Sequence, residues 1–326
     1  MSKQDSTILR IPLNSSLIKE HLPALQIMVT YGKSKDERGN IELIRPIASQ
    51  EAASEAQERI HSLLEECGVS TPAVFHAIRA TRSLISGSFN VAVLAPTAFK
   101  PNDLDMYMPG NQERQILAFV GAWGYTETSA SDVQYPGRLG IKKIYWFTKN
   151  ASKINIMIVR GSNTAIAVFL FHSSIVMNFL CDKGLYCSYL ELTTHGLNII
   201  NTSVLVDTSS MECTIRCLNK YASRGITTKT ELSKFESFEG HICQIDGNCP
   251  STIQFVHNEH GLFYHMPQYS EDAEDTELLP FDEIDTVAWR LGGDMCGQST
   301  EWKEAYVVST NLHELRQSQQ EDERTT

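Results

Sequence analysis

The sequence predicts a mixed α/β core, and three observations carry that expectation. Helix-like and strand-like patterns alternate between residues 71 and 180 instead of segregating, as they do when helices cover a sheet. A Gly87-Ser88 corner precedes Asp103-Leu104-Asp105-Met106, a strand pattern in which residues i and i+2 share a face. Two further alternating runs, 140–149 and 153–159, are separated by Asn150-Ala151 and read as a hairpin.

Residues 1–50 form an arm or a decoration of the core, with short strand patterns at 8–13 and 27–31 and a charged loop at 34–40. Residues 51–182 form the core. Its first helix spans 50–67, because Ala52, Ala56, Ile60, Leu63 and Leu64 recur at helical spacing. Ser49 is placed to cap it and Cys67-Gly68 to end it. A second helix is expected over 71–85, with Pro72 in its first turn. Residues 90–94 are open between helix and strand. A helix over 112–123 buries Ile116, Leu117 and Val120, residues 129–138 read as a polar loop, and 165–179 as a helix carrying His172, Ser173, Ser174 and Asn178. A smaller helical and β region covers 183–313. It begins with apolar pieces and a helix at 211–223, with Arg216, Lys220 and Arg224 on one face, and 229–238 extends the helical set. From 241 onward short β elements are expected, with an acidic loop at 270–277 and a strand at 287–293. The polar stretch 314–326 reads as a disordered tail.

The chain has 326 residues, 42% of them hydrophobic and 21% charged, which fits a globular protein. Its 28 basic and 39 acidic residues give a net charge of −11. That balance opposes general adhesion to nucleic acid or an anionic membrane, since phosphate neutralisation needs clustered Lys and Arg. The most apolar stretch, 165–180, is interrupted by His172, Ser173, Ser174 and Asn178, so no membrane span is expected. The opening residues lack an apolar signal-peptide core, and eight scattered cysteines are read as reduced. A cytoplasmic or nuclear location follows as an expectation.

Asp103 and Asp105 would project side by side, with Leu104 and Met106 on the opposite face. Adjacent carboxylates repel unless a proton or cation lies between them, and Mg²⁺ accepts one or two carboxylates together with substrate phosphates. The corner at Gly87 and Ser88 offers backbone N–H groups and a hydroxyl for phosphate oxygens. The plain alternative is a solvated strand after a Pro-Asn-Asp turn. His172, Ser173 and Ser174, with Asn178, could line a nucleotide pocket at a helix N-terminus, or Ser173 or Ser174 simply caps that helix with His172 as its partner. A weaker candidate is a zinc site at Cys243, Cys249, His257 and His260. Its spacing fits no common finger, and a hairpin with incidental Cys and His is the alternative.

Gly87-Ser88, an apolar spacer and Asp103-Leu104-Asp105 together resemble the signature of the nucleotidyltransferase superfamily, with its DNA polymerase beta-like fold. The likeness covers residues 73–178. The wording ISGS at 85–88, FKPNDLDMYMP at 99–109, FHSSIVMNF at 171–179 and WRLGG at 289–293 is similar to a group of proteins abundant in mushroom-forming fungi. The superfamily resemblance implies a nucleotidyltransferase-like mixed sheet flanked by helices, with a smaller C-terminal α+β region. It also implies Mg²⁺ on Asp103 and Asp105, outer phosphates at Gly87 and Ser88, and a third carboxylate on a later strand. Asn155 stands at that third position, and no Asp or Glu occurs in 151–160. A neutral amide cannot serve as a carboxylate base. Two expectations follow: Mg²⁺-dependent binding of a nucleoside triphosphate with nucleotidyl transfer to an acceptor, or an inactive nucleotidyltransferase fold used as a protein-interaction module.

Overall fold

The computed structural model describes residues 7–11, 41–45, 48–95, 99–133, 140–160, 163–202, 204, 211–243, 245–256, 261–266, 286–294, 302–303 and 305–310. Several expected features lie outside these residues: the strand at 27–31, the loop at 34–40, His257, His260, the acidic run at 270–277 and the tail at 314–326. Near the N-terminus β1 (Thr7–Ile11) pairs antiparallel with β2 (Ile41–Arg45).

Helix α1 (Gln50–Glu66) starts where expected, with the Ser49 hydroxyl accepting the Ala52 N–H at 3.3 Å. Its buried face is Ala53, Ala56, Ile60 and Leu64, the 3.6-residue stripe of a helix laid on a core. Helix α2 (Thr71–Thr81) is shorter than expected, because Arg82 takes a left-handed conformation with φ 52° and closes it. The chain then enters β3 (Leu84–Ser86), turns at Gly87 and forms α3 (Ser88–Leu94), which settles 90–94 as helix.

Next come β4 (Leu104–Pro109), α4 (Glu113–Ala122), β5 (Thr126–Asp132), β6 (Ile141–Lys149) and β7 (Ser152–Val159). The β6–β7 hairpin turns at Asn150, whose φ of 54° suits a tight connection. Strand β5 corrects the expected loop over 129–138 as far as Asp132, and 134–138 lie outside the described residues. Every one of its residues is exposed, so an outermost strand with both faces in water leaves no apolar alternation to read.

The helix expected over 165–179 is also corrected. Helix α5 (Ala165–Phe169) stops early, a 3₁₀ turn covers Ser174–Val176, and β8 (Asn178–Cys181) enters the sheet. Strand β8 is buried throughout, and periodicity cannot separate a wholly buried strand from a buried helix. It is followed by β9 (Gly184–Cys187), α6 (Leu190–Thr194), β10 (Leu197–Ile199), α7 (Met211–Ala222) and β11 (Thr227–Lys229). The helical extension expected over 229–238 is instead two 3₁₀ turns, Leu232–Lys234 and Glu236–Phe238. The remaining strands are β12 (Gln254–Phe255), β13 (Leu262–His265), β14 (Thr286–Arg290), β15 (Gly293–Asp294), β16 (Trp302–Lys303) and β17 (Tyr306–Thr310).

Eight strands form one mixed sheet in the order β13-β9-β8-β3-β4-β7-β6-β5. Its pairs are antiparallel except β4 with β7. On one face Leu104, Met106, Ile154 and Ile156 meet the apolar sides of α1, α2 and α4. The other face carries Tyr107, Met157 and Val159 with Ala167 of α5. Further along, Phe169 and Phe179 pack with Trp289 of β14. Trp289 stacks on Phe169 with ring centres 3.8 Å apart and donates its indole N–H to the Tyr189 hydroxyl at 2.8 Å. Strands β12, β14 and β17 make a separate three-stranded sheet. Among the described residues no helix is long and apolar enough to cross a membrane.

Gly184 sits where β9 receives β13, with φ +145°, and a Cβ there would overlap the Tyr264 carbonyl oxygen. Gly184→Ala should therefore destabilise the protein by on the order of 2–4 kcal/mol. Urea unfolding reads this as a lowered midpoint, and an unchanged midpoint would mean that β13 does not approach β9 as described.

Candidate functional site

The parallel pairing of β4 and β7 places Asp105 opposite Asn155, and the antiparallel pairing of β3 and β4 places Ser86 opposite Asp105. Strand alternation does the rest. Leu104, Met106, Ile154 and Ile156 are fully buried, so Asp103, Asp105 and Asn155 project from the opposite face, where each is half-buried. The Asn155 side-chain amide donates to Asp105 Oδ1 at 2.8 Å and to Asp103 Oδ2 at 3.2 Å. One neutral donor thus bridges two carboxylates.

Gly87 touches the same cluster. Its φ is +79°, and a Cβ there would lie 2.8 Å from Asp105 Oδ2. Both the backbone conformation and the close approach require glycine. Ser88 begins α3, and its hydroxyl is buried without a hydrogen-bond partner. Buried hydroxyls are normally paired, so this orphan, one residue on from the Gly87 that approaches Asp105, marks a place for a further group.

The corner is held from below. Ser86 Oγ donates to the Asn178 carbonyl at 2.6 Å, and Asn90 Nδ2 donates to the carbonyls of Ile85 (2.8 Å) and Asn178 (3.1 Å). Asn178 spends its own amide on the Ile175 carbonyl and the Ser188 N–H. It therefore fixes backbone instead of lining a pocket.

Burial, and then the charge of Asp103, push the Asp105 carboxyl up to about 7; the Asn155 hydrogen bond and Lys220 pull the other way. Tyr107, on the same face of β4, is raised well above the ordinary phenol value by burial and then by Asp105. Lys220 and Tyr221 come from α7, so that helix faces the aspartates. Their part in the site was not singled out from the sequence, although Arg216, Lys220 and Arg224 formed a basic helix face in an acidic chain. Arg224 lies over the Phe99 ring at 4.1 Å.

His172 and Ser173 are found beside the same helix. The His172 and Tyr221 rings are 6.0 Å apart, and His172 Nδ1 is 2.7 Å from Ser173 Oγ. Burial and then Lys220 lower the imidazole to about 4, so it is neutral at neutral pH. The helix N-terminus expected here is absent. Ser173 makes no capping bond to the 3₁₀ turn, and the Asn198 side chain accepts the Ile175 N–H at 3.0 Å instead. Lys100 forms an exposed ion pair with Glu66 at 2.7 Å.

No protein-family model, curated protein or solved structure matches this chain. Function must therefore be argued from the chemistry of the site.

A second cluster lies elsewhere. Cys243 and Cys249 come together as the zinc expectation required, but the third donor beside them is His241, with one ligand atom from each residue within 4.8 Å of the others. His257 and His260 lie outside the described residues. The His241-x-Cys243 step matches no common zinc-finger spacing, so the sequence gives no signal for His241 as a ligand.

The raised Asp105 value fixes a pH dependence. The folded state holds that proton more tightly than the unfolded chain, whose carboxylate titrates near about 4. The stabilisation is therefore complete below about pH 4 and lost as pH rises through about 7. With EDTA present, the thermal midpoint of the wild type should fall relative to Asp105→Asn between about pH 4 and about pH 8. A difference that stays flat across that range would show that Asp105 titrates normally. By the same electrostatics, Asn155→Asp should cost the metal-free protein about 1–3 kcal/mol at pH 8, because it exchanges a bridging donor for a third carboxylate. Chemical denaturation measures that loss.

Proposed function

We propose that this protein binds a nucleoside triphosphate together with Mg²⁺ at the cluster of Asp103, Asp105 and Asn155 beside Gly87 and Ser88, as a nucleotidyltransferase-like protein. The observation that carries the reading is the convergence of two half-buried carboxylates on one point next to a glycine corner whose Ser88 hydroxyl is an orphan. Oxygen donors of this kind suit a hard divalent cation. Asp105 already shares its charge with a proton near neutrality, and a cation would take the place of that proton. Asp103 and Asp105 are the residues that would hold Mg²⁺, and the bound ion would neutralise triphosphate charge at the site.

The protein's own groups then have definable tasks. Gly87 permits the backbone to come close, and the Ser88 hydroxyl offers a hydrogen bond to a phosphate oxygen. Lys220 supplies positive charge from the facing helix, and neutral His172 offers a hydrogen bond rather than a second cation. These supports come from geometry and electrostatics alone.

A second reading is favoured by Asn155. It donates a hydrogen bond to each carboxylate where the superfamily resemblance calls for a third acid. A site so arranged suits binding without turnover, and the chain would then act as an inactive fold whose task is interaction with another protein. In either reading the location is cytoplasmic or nuclear, with no membrane and no general nucleic-acid partner.

Isothermal calorimetry with Mg²⁺ and each nucleoside triphosphate decides the first point. Binding should require Mg²⁺, weaken at least about tenfold in Asp103→Ala and Asp105→Ala, and weaken by about tenfold per pH unit below about 7 as the proton competes. No Mg²⁺-dependent heat with any of the four ribonucleotides would overturn the proposal. Pyrophosphate release then separates the two readings. A wild type that binds but releases none, with Asn155→Asp binding Mg²⁺ more tightly, is the outcome expected of the non-catalytic form.

A further inference from the structure

Independently of the aspartates, the segment between Phe238 and Gln254 concentrates a different chemistry. Its described residues contain no helix or strand, and turns hold it together. The Ile242 carbonyl accepts the N–H groups of Ile245 (3.1 Å) and Asp246 (2.9 Å). The Asp246 carbonyl accepts the Cys249 N–H at 3.0 Å and the Thr252 hydroxyl at 2.7 Å. These turns bring Cys249 back onto Cys243, and the two thiols do not form a disulfide. One ligand atom from each of His241, Cys243 and Cys249 lies within 4.8 Å of the others, and His241 Nε2 is 3.3 Å from Cys243 Sγ. In a tetrahedral zinc site, with metal–ligand bonds of about 2.0–2.3 Å, neighbouring ligand atoms stand roughly 3.3–3.8 Å apart.

We propose that His241, Cys243 and Cys249 form a zinc site that closes this turn-built segment on itself beside the apolar layer around Trp289. Buried cysteines are commonly just small apolar side chains, and two features argue against that here. The first is the orientation of the imidazole. His241 Nδ1 lies 2.9 Å from the Phe238 carbonyl, an acceptor, so Nδ1 carries the proton and the Nε2 lone pair faces the thiols. A backbone carbonyl holding the far ring nitrogen is the usual support of a metal-ligating histidine. The second is charge. Cys243 and Cys249 pack with Phe235, Phe238 and Trp289, surroundings that penalise net charge. Zn²⁺ with two thiolates and a neutral imidazole is neutral overall.

Soft sulfur donors select zinc over the hard cation proposed at the aspartates. On binding, each thiol gives its proton to solvent and the metal keeps its oxidation state. The fourth position is left to water or another donor. A metal clamp would add to these turns the order that helix or strand pairing gives elsewhere.

The test uses the full chain carrying Asp103→Ala and Asp105→Ala, so that the carboxylates contribute no metal. Atomic emission on protein purified without chelator should find about one zinc per chain, and Cys243→Ser or Cys249→Ser should reduce it to under about one-tenth. His241→Ala should weaken zinc at least about tenfold while the circular dichroism spectrum is kept. Cobalt in place of zinc should give an intense thiolate-to-metal charge-transfer band, which reports on the wild-type ligands even if the serine variants fail to fold. EDTA should lower the thermal midpoint, and zinc should restore it. Absence of zinc at micromolar supply, a cobalt spectrum without thiolate bands, zinc retained by both serine variants, or a Cys243–Cys249 disulfide in the zinc-supplied protein would each overturn the proposal.

Discussion

The candidate site depends on the register between β4 and β7. Leu104, Met106, Met108, Ile154, Ile156 and Ile158 are all fully buried against the helices. Moving either strand by one residue would turn those side chains to the opposite face and drive Asp105 or Asn155 into the apolar layer. The hydrophobic effect on one face therefore dictates the polar geometry on the other. Burying a Leu, Ile or Met side chain is worth about 1.5–3 kcal/mol. Six such side chains together outweigh the penalty of bringing two carboxylates side by side on the other face.

A second constraint fixes the corner beside them. Ser86, Asn90 and Asn178 are buried polar side chains that satisfy the carbonyls of Ile85, Asn178 and Ile175 and the N–H of Ser188. Each such bond contributes only about 1 kcal/mol net, yet leaving one group unpaired would cost more. The network thus favours a single arrangement of the Gly87-Ser88 turn. Within it the Ser88 hydroxyl and the Asn90 side-chain carbonyl remain without a hydrogen-bond partner.

What could be read in advance followed from contrast within the chain. Helices α1, α4 and α7 each have one wet and one dry side, and β6 and β7 are joined by a short turn, so their existence was legible. The aspartate pair was legible because alternation puts Asp103 and Asp105 on one face whatever the fold around them. Strand β5 was hidden because all of it is wet, and β8 because all of it is dry. The roles of Asn178, Lys220 and His241 depend on groups distant in sequence or on a local turn that composition does not reveal. Asn178 looked like a pocket residue and proved to hold Ser188, Ser86 and Asn90 together. Asn155 was legible as a departure from an expected acid, but its double hydrogen bond needed the neighbouring strand.

Strand β13 closes one end of the large sheet, yet it comes from a part of the chain far beyond β9, its partner. During synthesis every other strand of that sheet is available earlier. Until residue 265 has left the ribosome, the nascent domain presents the unpaired backbone of β9, a strand buried in the finished protein. An exposed, apolar edge is a template for pairing with another chain, and contacts of such long sequence separation are made late. The late strand thus sets a window of vulnerability to misassembly, and truncations that end before it would be expected to associate through that edge.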